Sequence, residues 1–278
     1  MYRKGFFKGW YYKQEKSGRA VAFIPAFHLA KDGKVTASIQ VITEERAWNF
    51  DFPGEAVRLS DKRDTIQIGN NYFSPKGFRV NLTGEKDGRP VKIEGRIAFG
   101  SLTPLKGDIM GPFRFIPFLQ CRHGVVSMCH KTKGSLLVDG DSINFHGGRG
   151  YVEKDSGCSF PSYYFWSQCG WYDRQECSVM VSVADIPLAG AHFPGCIAFV
   201  YFGGKEYRLA TYRGGENTPV RGTGGSAQAG EPAFVSPGTG TWWTEAESAG
   251  KRKYGPHGKG KSGMQGMVPF LEGRKAAV

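Results

Sequence analysis

The chain has 278 residues, of which 40% are hydrophobic and 22% are charged, proportions typical of a folded soluble protein and not of a disordered chain or a coiled coil. Its net charge of +12 is spread along the sequence, without the basic block or the sequence motifs of a nucleic-acid-binding domain. We therefore expect no nucleic-acid partner. Since no segment approaches the roughly 20 apolar residues of a membrane helix, we also expect a cytoplasmic protein. Peripheral contact with an acidic membrane surface stays open.

Apolar and polar residues alternate with period two in the first part of the chain, the pattern of half-buried β-strands. Asp-Gly pairs at 32–33, 87–88 and 139–140 lie between such segments and are strong hairpin signals. The pattern predicts an antiparallel meander. Its predicted strands cover residues 20–24, 35–41, 65–68, 78–82 and 91–97.

A proline-containing segment over residues 101–119 opposes both helix and central strand, and we interpret it as the crossing between two β units. The pattern predicts an all-β fold of two antiparallel barrels or sandwiches, of which barrels remove the exposed strand edges. We place the two units over residues 1–105 and 106–213. The second unit's predicted strands cover residues 124–128, 134–138, 142–145, 164–168, 178–183 and 196–202.

The six cysteines contain no Cys-x-x-Cys pair, and none has a histidine at the spacing of a structural zinc site. His123 and His130 lie close in sequence to Cys121 and Cys129, but this spacing fits no known metal site. We therefore expect free thiols in place of three disulfides, and no metal.

Ionisable residues are densest in a predicted strand that begins at Arg149. Period two places Arg149, Tyr151, Glu153 and Asp155 on one face, and Lys154 on the other. Two carboxylates on one face repel each other, so one can keep its proton toward neutral pH in an apolar site, although a nearby arginine opposes this. The arrangement suits a general acid; the alternative is a set of solvated cross-strand ion pairs.

An aromatic run follows directly, with Phe160, Tyr163, Tyr164 and Trp166 in seven residues. Such a run is most often part of a core. Beside ionisable groups, it can instead line a pocket whose aromatic faces accommodate cationic character.

This segment resembles the signature of the tocopherol cyclase-like family, the plant vitamin E cyclase and its bacterial relatives. Similar motifs at residues 7–13, 123–128, 134–136, 145–150 and 207–212 extend the resemblance over about residues 5–213. Ser156 and Cys158 depart from the signature, where the family has Trp and, in its bacterial members, Arg. The residues that match are Gly150, Tyr151, Glu153, Lys154, Asp155, Gly157, Phe160, Pro161, Trp166 and Gln168.

The resemblance implies a calycin fold of two lipocalin-like barrels that closes a prenylated benzoquinol to a chromanol with neither an organic cofactor nor a metal. Glu153 or Asp155 would donate a proton to the side-chain alkene, with Tyr151 and Lys154 orienting the head group and water excluded. A non-catalytic carrier of an apolar isoprenoid or lipid on the same fold is the alternative. The oligomeric state stays open. The implied substrate-binding residues are Arg149, Phe160, Tyr163, Tyr164, Trp166 and Gln168.

Residues 214–278 hold 15 of the chain's 40 glycines and lack the alternation of the preceding strands. We predict an irregular or disordered tail. A reading-frame slip in the source gene is a second explanation, and under it the C-terminal barrel is incomplete.

Overall fold

A computed structural model of the chain describes residues 5–116, 119–161, 163–171, 176–188 and 191–214, so nearly all of the predicted tail lies outside it. The predicted all-β fold is confirmed: within these ranges the only helices are four short 3₁₀ turns, at Gly54–Ala56, Asp61–Arg63, Gly111–Phe115 and Thr211–Arg213. The strands, in chain order, are β1 Phe6–Lys16, β2 Arg19–Leu29, β3 Val35–Thr43, β4 Ala47–Pro53, β5 Val57–Ser60, β6 Thr65–Ile68, β7 Asn71–Ser74, β8 Gly77–Lys86, β9 Arg89–Phe99, β10 Cys121–Val138, β11 Asp141–Asn144, β12 Arg149–Gly157, β13 Tyr164–Trp171, β14 Cys177–Leu188, β15 Ala191–Phe202 and β16 Lys205–Ala210.

The first twelve strands form one antiparallel sheet in the order β4-β3-β2-β1-β12-β10-β9-β8-β7-β6-β5, with β11 beside β10. Strands β13 to β16 form a second, four-stranded meander. Strand β12 therefore lies at the centre of the large sheet, hydrogen-bonded to β1 on one side and to β10 on the other. This position matters because β12 carries the ionisable residues of the sequence signature.

The prediction of two closed barrels is wrong in its hydrogen bonding, since neither sheet pairs its own edge strands within the described ranges. The large sheet instead curls until β4 packs against β8 through side chains. Lys86 Nζ donates a hydrogen bond to the Ala47 carbonyl oxygen at 2.7 Å, and the Phe50 ring packs over Gly84, where a Cβ would lie 3.0 Å from it. Side-chain packing thus covers this edge without a hydrogen-bonded ladder.

Two predicted hairpins are confirmed in detail. Asp87-Gly88 joins β8 to β9 and Asp139-Gly140 joins β10 to β11, and all four residues have positive φ, as a two-residue type I′ turn requires. Two separate strands were predicted over residues 124–138, but β10 is a single long strand. It contains bulges, and its first half pairs with β12 while its second half pairs with β9 and β11.

The main core fills the inside of the curled sheet with aromatic and aliphatic side chains. Phe23 and Phe78 pack with ring centroids 4.9 Å apart, and Val152 of β12 belongs to the same cluster. A second, smaller cluster lies between β1, β10 and β12 of the large sheet and the four-stranded sheet. Its fully buried members are Ile109, Met128, Tyr151, Met180 and Phe199.

The six cysteines are free thiols, as the sequence predicts. Within the described ranges, no helix has the length and apolar character needed to cross a membrane. The boundary predicted between residues 105 and 106 falls in the connection between β9 and β10, and it stays a prediction.

Candidate active site

The alternation predicted for β12 is confirmed by the contacts of its side chains. Tyr151 and Glu153 face the four-stranded sheet, whereas Val152 packs into the main core on the opposite face. Across the two neighbouring strands, Glu153 lies opposite Tyr11 of β1 and Val125 of β10. A carboxyl group in the middle of a large sheet and under a second sheet is thereby removed from solvent.

Glu153 is the best-enclosed acid of the sequence signature, with 5% of its surface exposed. Tyr151 Oη donates a hydrogen bond to Glu153 Oε2 at 2.6 Å, and Trp166 Nε1 donates to the same oxygen at 3.1 Å. Trp166 belongs to β13, so the site is assembled from both sheets. The Tyr11 ring packs edge-on against Trp166, with centroids 5.2 Å apart, and closes another side of the site.

His123 joins this site from β10, directly opposite Asp155 in the pairing with β12. Its Nδ1 lies 2.7 Å from Asp155 Oδ1, and its Nε2 lies 3.5 Å from Glu153 Oε2. His123 was predicted as a neighbour of His130 and as part of the motif at residues 123–128, with no role beside Glu153. The His130 ring is tilted against Phe99, a residue that packs against the main core. The sequence could not place His123 beside Glu153 because it does not reveal the register of β10 against β12, which is shifted at two bulges.

Burial has opposite effects on the two central groups. It raises the pKa of Glu153 from 4.5 to about 7; the His123 charge and the two hydrogen bonds oppose this rise, and Asp155 adds to it. Burial lowers the pKa of His123, but the carboxylates of Asp155 and Glu153 outweigh it and raise that pKa to about 9. Near pH 7, a partly protonated carboxyl group therefore lies beside an imidazolium.

The hydroxyl groups around these residues keep their protons. Burial, followed by the nearby Glu153 charge, raises the pKa of Tyr151 well above its ordinary value and also raises that of Tyr11. Burial and then Asp155 raise the pKa of Tyr164 to about 12. Tyr151 consequently acts as a hydrogen-bond donor to Glu153 throughout the physiological pH range.

Three residues predicted for the site lie away from Glu153. Lys154 extends from the opposite face of β12 and donates a hydrogen bond to Asp64 Oδ2 at 2.9 Å, so it does not reach the carboxyl group. Arg149, at the start of β12, pairs with Glu176 at 2.7 Å. Tyr163 is 80% exposed.

The other predicted residues, Phe160 and Gln168, contact side chains of β1. Phe160 stacks on Phe7 and on Tyr164, with centroids 4.7 and 5.8 Å apart. Gln168 Oε1 accepts a hydrogen bond at 3.0 Å from Nζ of the buried Lys13. Lys13 was not assigned to the site from the sequence, although it closes the opening aromatic motif at residues 7–13.

His123, Glu153 and Asp155 are the group in the described part of the chain that could hold a metal ion, with one donor atom from each lying within 4.8 Å of the others. Asp155 Oδ1 and Glu153 Oε2 already form hydrogen bonds: Asp155 contacts His123 directly, and Tyr151 and Trp166 both donate to Glu153 Oε2. A cation at those two oxygens would compete with these donors. The arrangement therefore fits proton transfer better than metal binding.

Two open surface clefts lie elsewhere, with volumes of about 530 and 320 Å³. One is lined by residues of β8 and β9, the other by the β2–β4 end of the large sheet and by β11. Neither is lined by Glu153 or its hydrogen-bond partners.

Comparison with models of known protein families found no match, and comparison with curated proteins found none either. Among solved structures, kievitone hydratase from Nectria haematococca matches at 13% identity and a TM-score of 0.45, covering 74% of this chain and 63% of that one. CghA matches at 11% identity and a TM-score of 0.43, covering 72% and 59%. The chain thus spans about three-fifths of each of these proteins. Similarity at this level assigns neither a family nor a reaction, and the tocopherol cyclase-like resemblance stays a prediction.

Proposed function

We propose that this protein is an acid catalyst of the tocopherol cyclase-like type, which closes a prenylated benzoquinol to a chromanol. The observation that carries this assignment is Glu153, a carboxyl group buried between two sheets and held by Tyr151 and Trp166. Because burial raises its pKa to about 7, the group can both hold and release a proton near neutral pH.

The reaction needs one proton, which returns at the end. Glu153 gives its proton to the less substituted carbon of the side-chain alkene, leaving a carboxylate and a tertiary carbocation. The phenol oxygen of the quinol then attacks the cation, and the new C–O bond closes the chromanol ring. The phenol proton passes to the Glu153 carboxylate, so no oxidant, reductant or net proton is consumed.

The surroundings of Glu153 suit such an intermediate. Tyr11 and Trp166 supply aromatic rings beside the carboxyl group, and aromatic faces stabilise cationic character. Exclusion of water from the site keeps the carbocation from being captured as an alcohol.

Between the two acids left open by the sequence, the contacts favour Glu153 as the proton donor. Asp155 accepts from His123 and its side chain is 26% exposed, compared with 6% for that of Glu153. Asp155 thus serves as the partner of the His123 ring, whereas Glu153 is the enclosed acid beside the aromatic rings of Tyr11 and Trp166.

The test incubates the full chain with a prenylated benzoquinol in D₂O and looks for chromanol by chromatography and NMR. We expect one deuterium on the carbon beside the new tertiary centre. Glu153→Gln removes the transferable proton and should lower the rate by about 10²–10⁴-fold. Glu55→Gln, which removes an exposed carboxylate on a 3₁₀ turn, is the matched control and should leave the rate unchanged.

Two results would contradict the assignment. Tight binding of the quinol without turnover would identify a carrier of apolar ligands. Turnover that survives in Glu153→Gln would require another proton donor, and Asp155→Asn would then be the variant to compare.

A further inference from the structure

We infer that His123 is a positioning residue: Asp155 fixes its ring so that Nε2 points at Glu153, where its charge compensates the carboxylate left after proton donation. The inference deepens the proposed function and relies on it for the catalytic step alone. The electrostatic coupling between His123 and Glu153 is a property of the protein without substrate.

The geometry leaves His123 little freedom. Nδ1 lies 2.7 Å from Asp155 Oδ1, which places the other ring nitrogen on the side of Glu153. Nε2 is buried and has no hydrogen-bond partner in the described part of the chain, and the Glu153 oxygen lies 3.5 Å away. A buried polar atom without a hydrogen bond is costly, so an N–H that reaches Glu153 when the carboxyl ionises regains a missing partner.

The groups around this ring are mostly acids. Asp155, Glu153 and Tyr151 face it from β12, and Cys121 lies beside Asp155 on the same strand as His123. Tyr11 of β1 and Tyr164 of β13 complete the shell on the other sides. Lys154 is directed to the opposite face, toward Asp64, and the buried Lys13, opposite Tyr151 on β1, pairs with Glu15 and Gln168. His123 is therefore the cationic group that contacts Glu153 and Asp155.

This placement addresses a difficulty of the proposed chemistry. Proton donation from a buried acid leaves a negative charge in an apolar site, and an unpaired buried charge is expensive. An imidazolium already held beside the carboxyl group by Asp155 lowers that cost. Since Asp155 anchors the other nitrogen, His123 can compensate Glu153 without itself contacting the substrate.

The test exploits reciprocity: the effect of the His123 charge on proton binding by Glu153 must equal the effect of the Glu153 charge on proton binding by His123. Difference infrared spectroscopy follows the protonated Glu153 carbonyl in the wild-type chain and in His123→Gln, with the band assigned by its loss in Glu153→Gln. NMR of the imidazole protons follows His123 in the wild-type chain and in Glu153→Gln.

Loss of an opposite charge at this distance shifts the pKa of a carboxyl group by about 1–3 units. We therefore expect the titration midpoint of Glu153, the pH at which it is half protonated, to rise by that amount in His123→Gln. The His123 midpoint should fall by the same amount in Glu153→Gln. His192→Gln is the matched control, because His192 also pairs with an aspartate, Asp185 at 2.8 Å, but on an exposed hairpin. It should move neither midpoint.

An unchanged Glu153 midpoint in His123→Gln, or unequal shifts in the two arms, would overturn the inference. Should His123→Gln fail to fold, the isosteric Glu153→Gln arm still decides it. The inference would also be overturned if the purified chain contains a bound metal ion and a chelator returns the titration midpoints of Glu153 and His123 to their ordinary values. Equal shifts in a protein that makes no chromanol would support the coupling and reject the cyclase.

Discussion

The two faces of β12 differ in what they bury. On one face, Val152 belongs to a large cluster of aromatic and aliphatic side chains inside the curled sheet. On the other, Tyr151 and Glu153 lie in a much smaller cluster together with an imidazole and a second carboxylate. Consecutive residues of one strand thus serve opposite purposes, because the period of a strand sends neighbours to opposite faces.

The difference between the two faces of β12 explains how a buried acid is tolerated. Burying Glu153 costs free energy, and the cluster around it is much smaller than the one on the other face of the strand. The main core lies directly behind it, where side chains such as Phe23 and Phe73 are fully buried. Stability supplied on one face therefore permits an unfavourable protonation equilibrium on the other.

The largest expected effect tests the face of β12 that packs into the main core. Phe23→Ala removes a fully buried ring that packs against Phe73 and Phe78, and should lower the free energy of unfolding by about 3–5 kcal/mol. Urea denaturation followed by circular dichroism measures the loss. If the faces are separate, the Glu153 midpoint stays where it is in the folded variant. A loss below about 1 kcal/mol would show that the main core is not the source of stability.

The next largest effect tests the face of β12 that carries Glu153, through the pH dependence of stability. Glu153 has a higher pKa in the folded chain than in the unfolded one, so the folded state binds more protons and stability falls as the pH rises from 4.5 to about 7. The raised pKa of His123 contributes stability below pH 6.5 that is lost as the pH rises to about 9. The Glu153 share is about 3 kcal/mol by the usual conversion of pKa to free energy.

Glu153→Gln is the informative variant for this profile. It should flatten the decline between pH 4.5 and 7, since glutamine does not titrate. Glu55→Gln, at an exposed site, should reproduce the wild-type profile. A wild-type chain whose stability is level or rises from pH 5 to 8 in urea denaturation would contradict a buried, proton-holding Glu153.

Local patterns were enough to predict many of the strands and two of the hairpins, but not β4, β5 or β7, nor the way the large sheet curls. Alternation predicts the faces of β12 because that period is built into strand geometry, and Asp-Gly turns are recognised because two residues decide them. Closure of a barrel depends instead on pairing between distant edge strands, and this chain covers the β4 edge with side chains of β8. The site shows the same division: Glu153 and Tyr151 follow from one strand and Trp166 from the signature, whereas His123 arrives from β10 through a register that no local pattern encodes.

The smallest expected effect tests which role Lys154 has, the one implied by the sequence signature or the one indicated by its contacts. The resemblance assigns Lys154 to the head group, whereas the structure pairs it with Asp64 on the main-core face of β12. Its side chain is 38% exposed, so Lys154→Met should cost only about 0.2–1 kcal/mol in urea denaturation, with the Glu153 midpoint unmoved. A shifted midpoint would mean that charge on one face of β12 reaches the other. Chromanol formation that disappears in a stable Lys154→Met chain would favour the role assigned by the signature and would end the separation of the two faces.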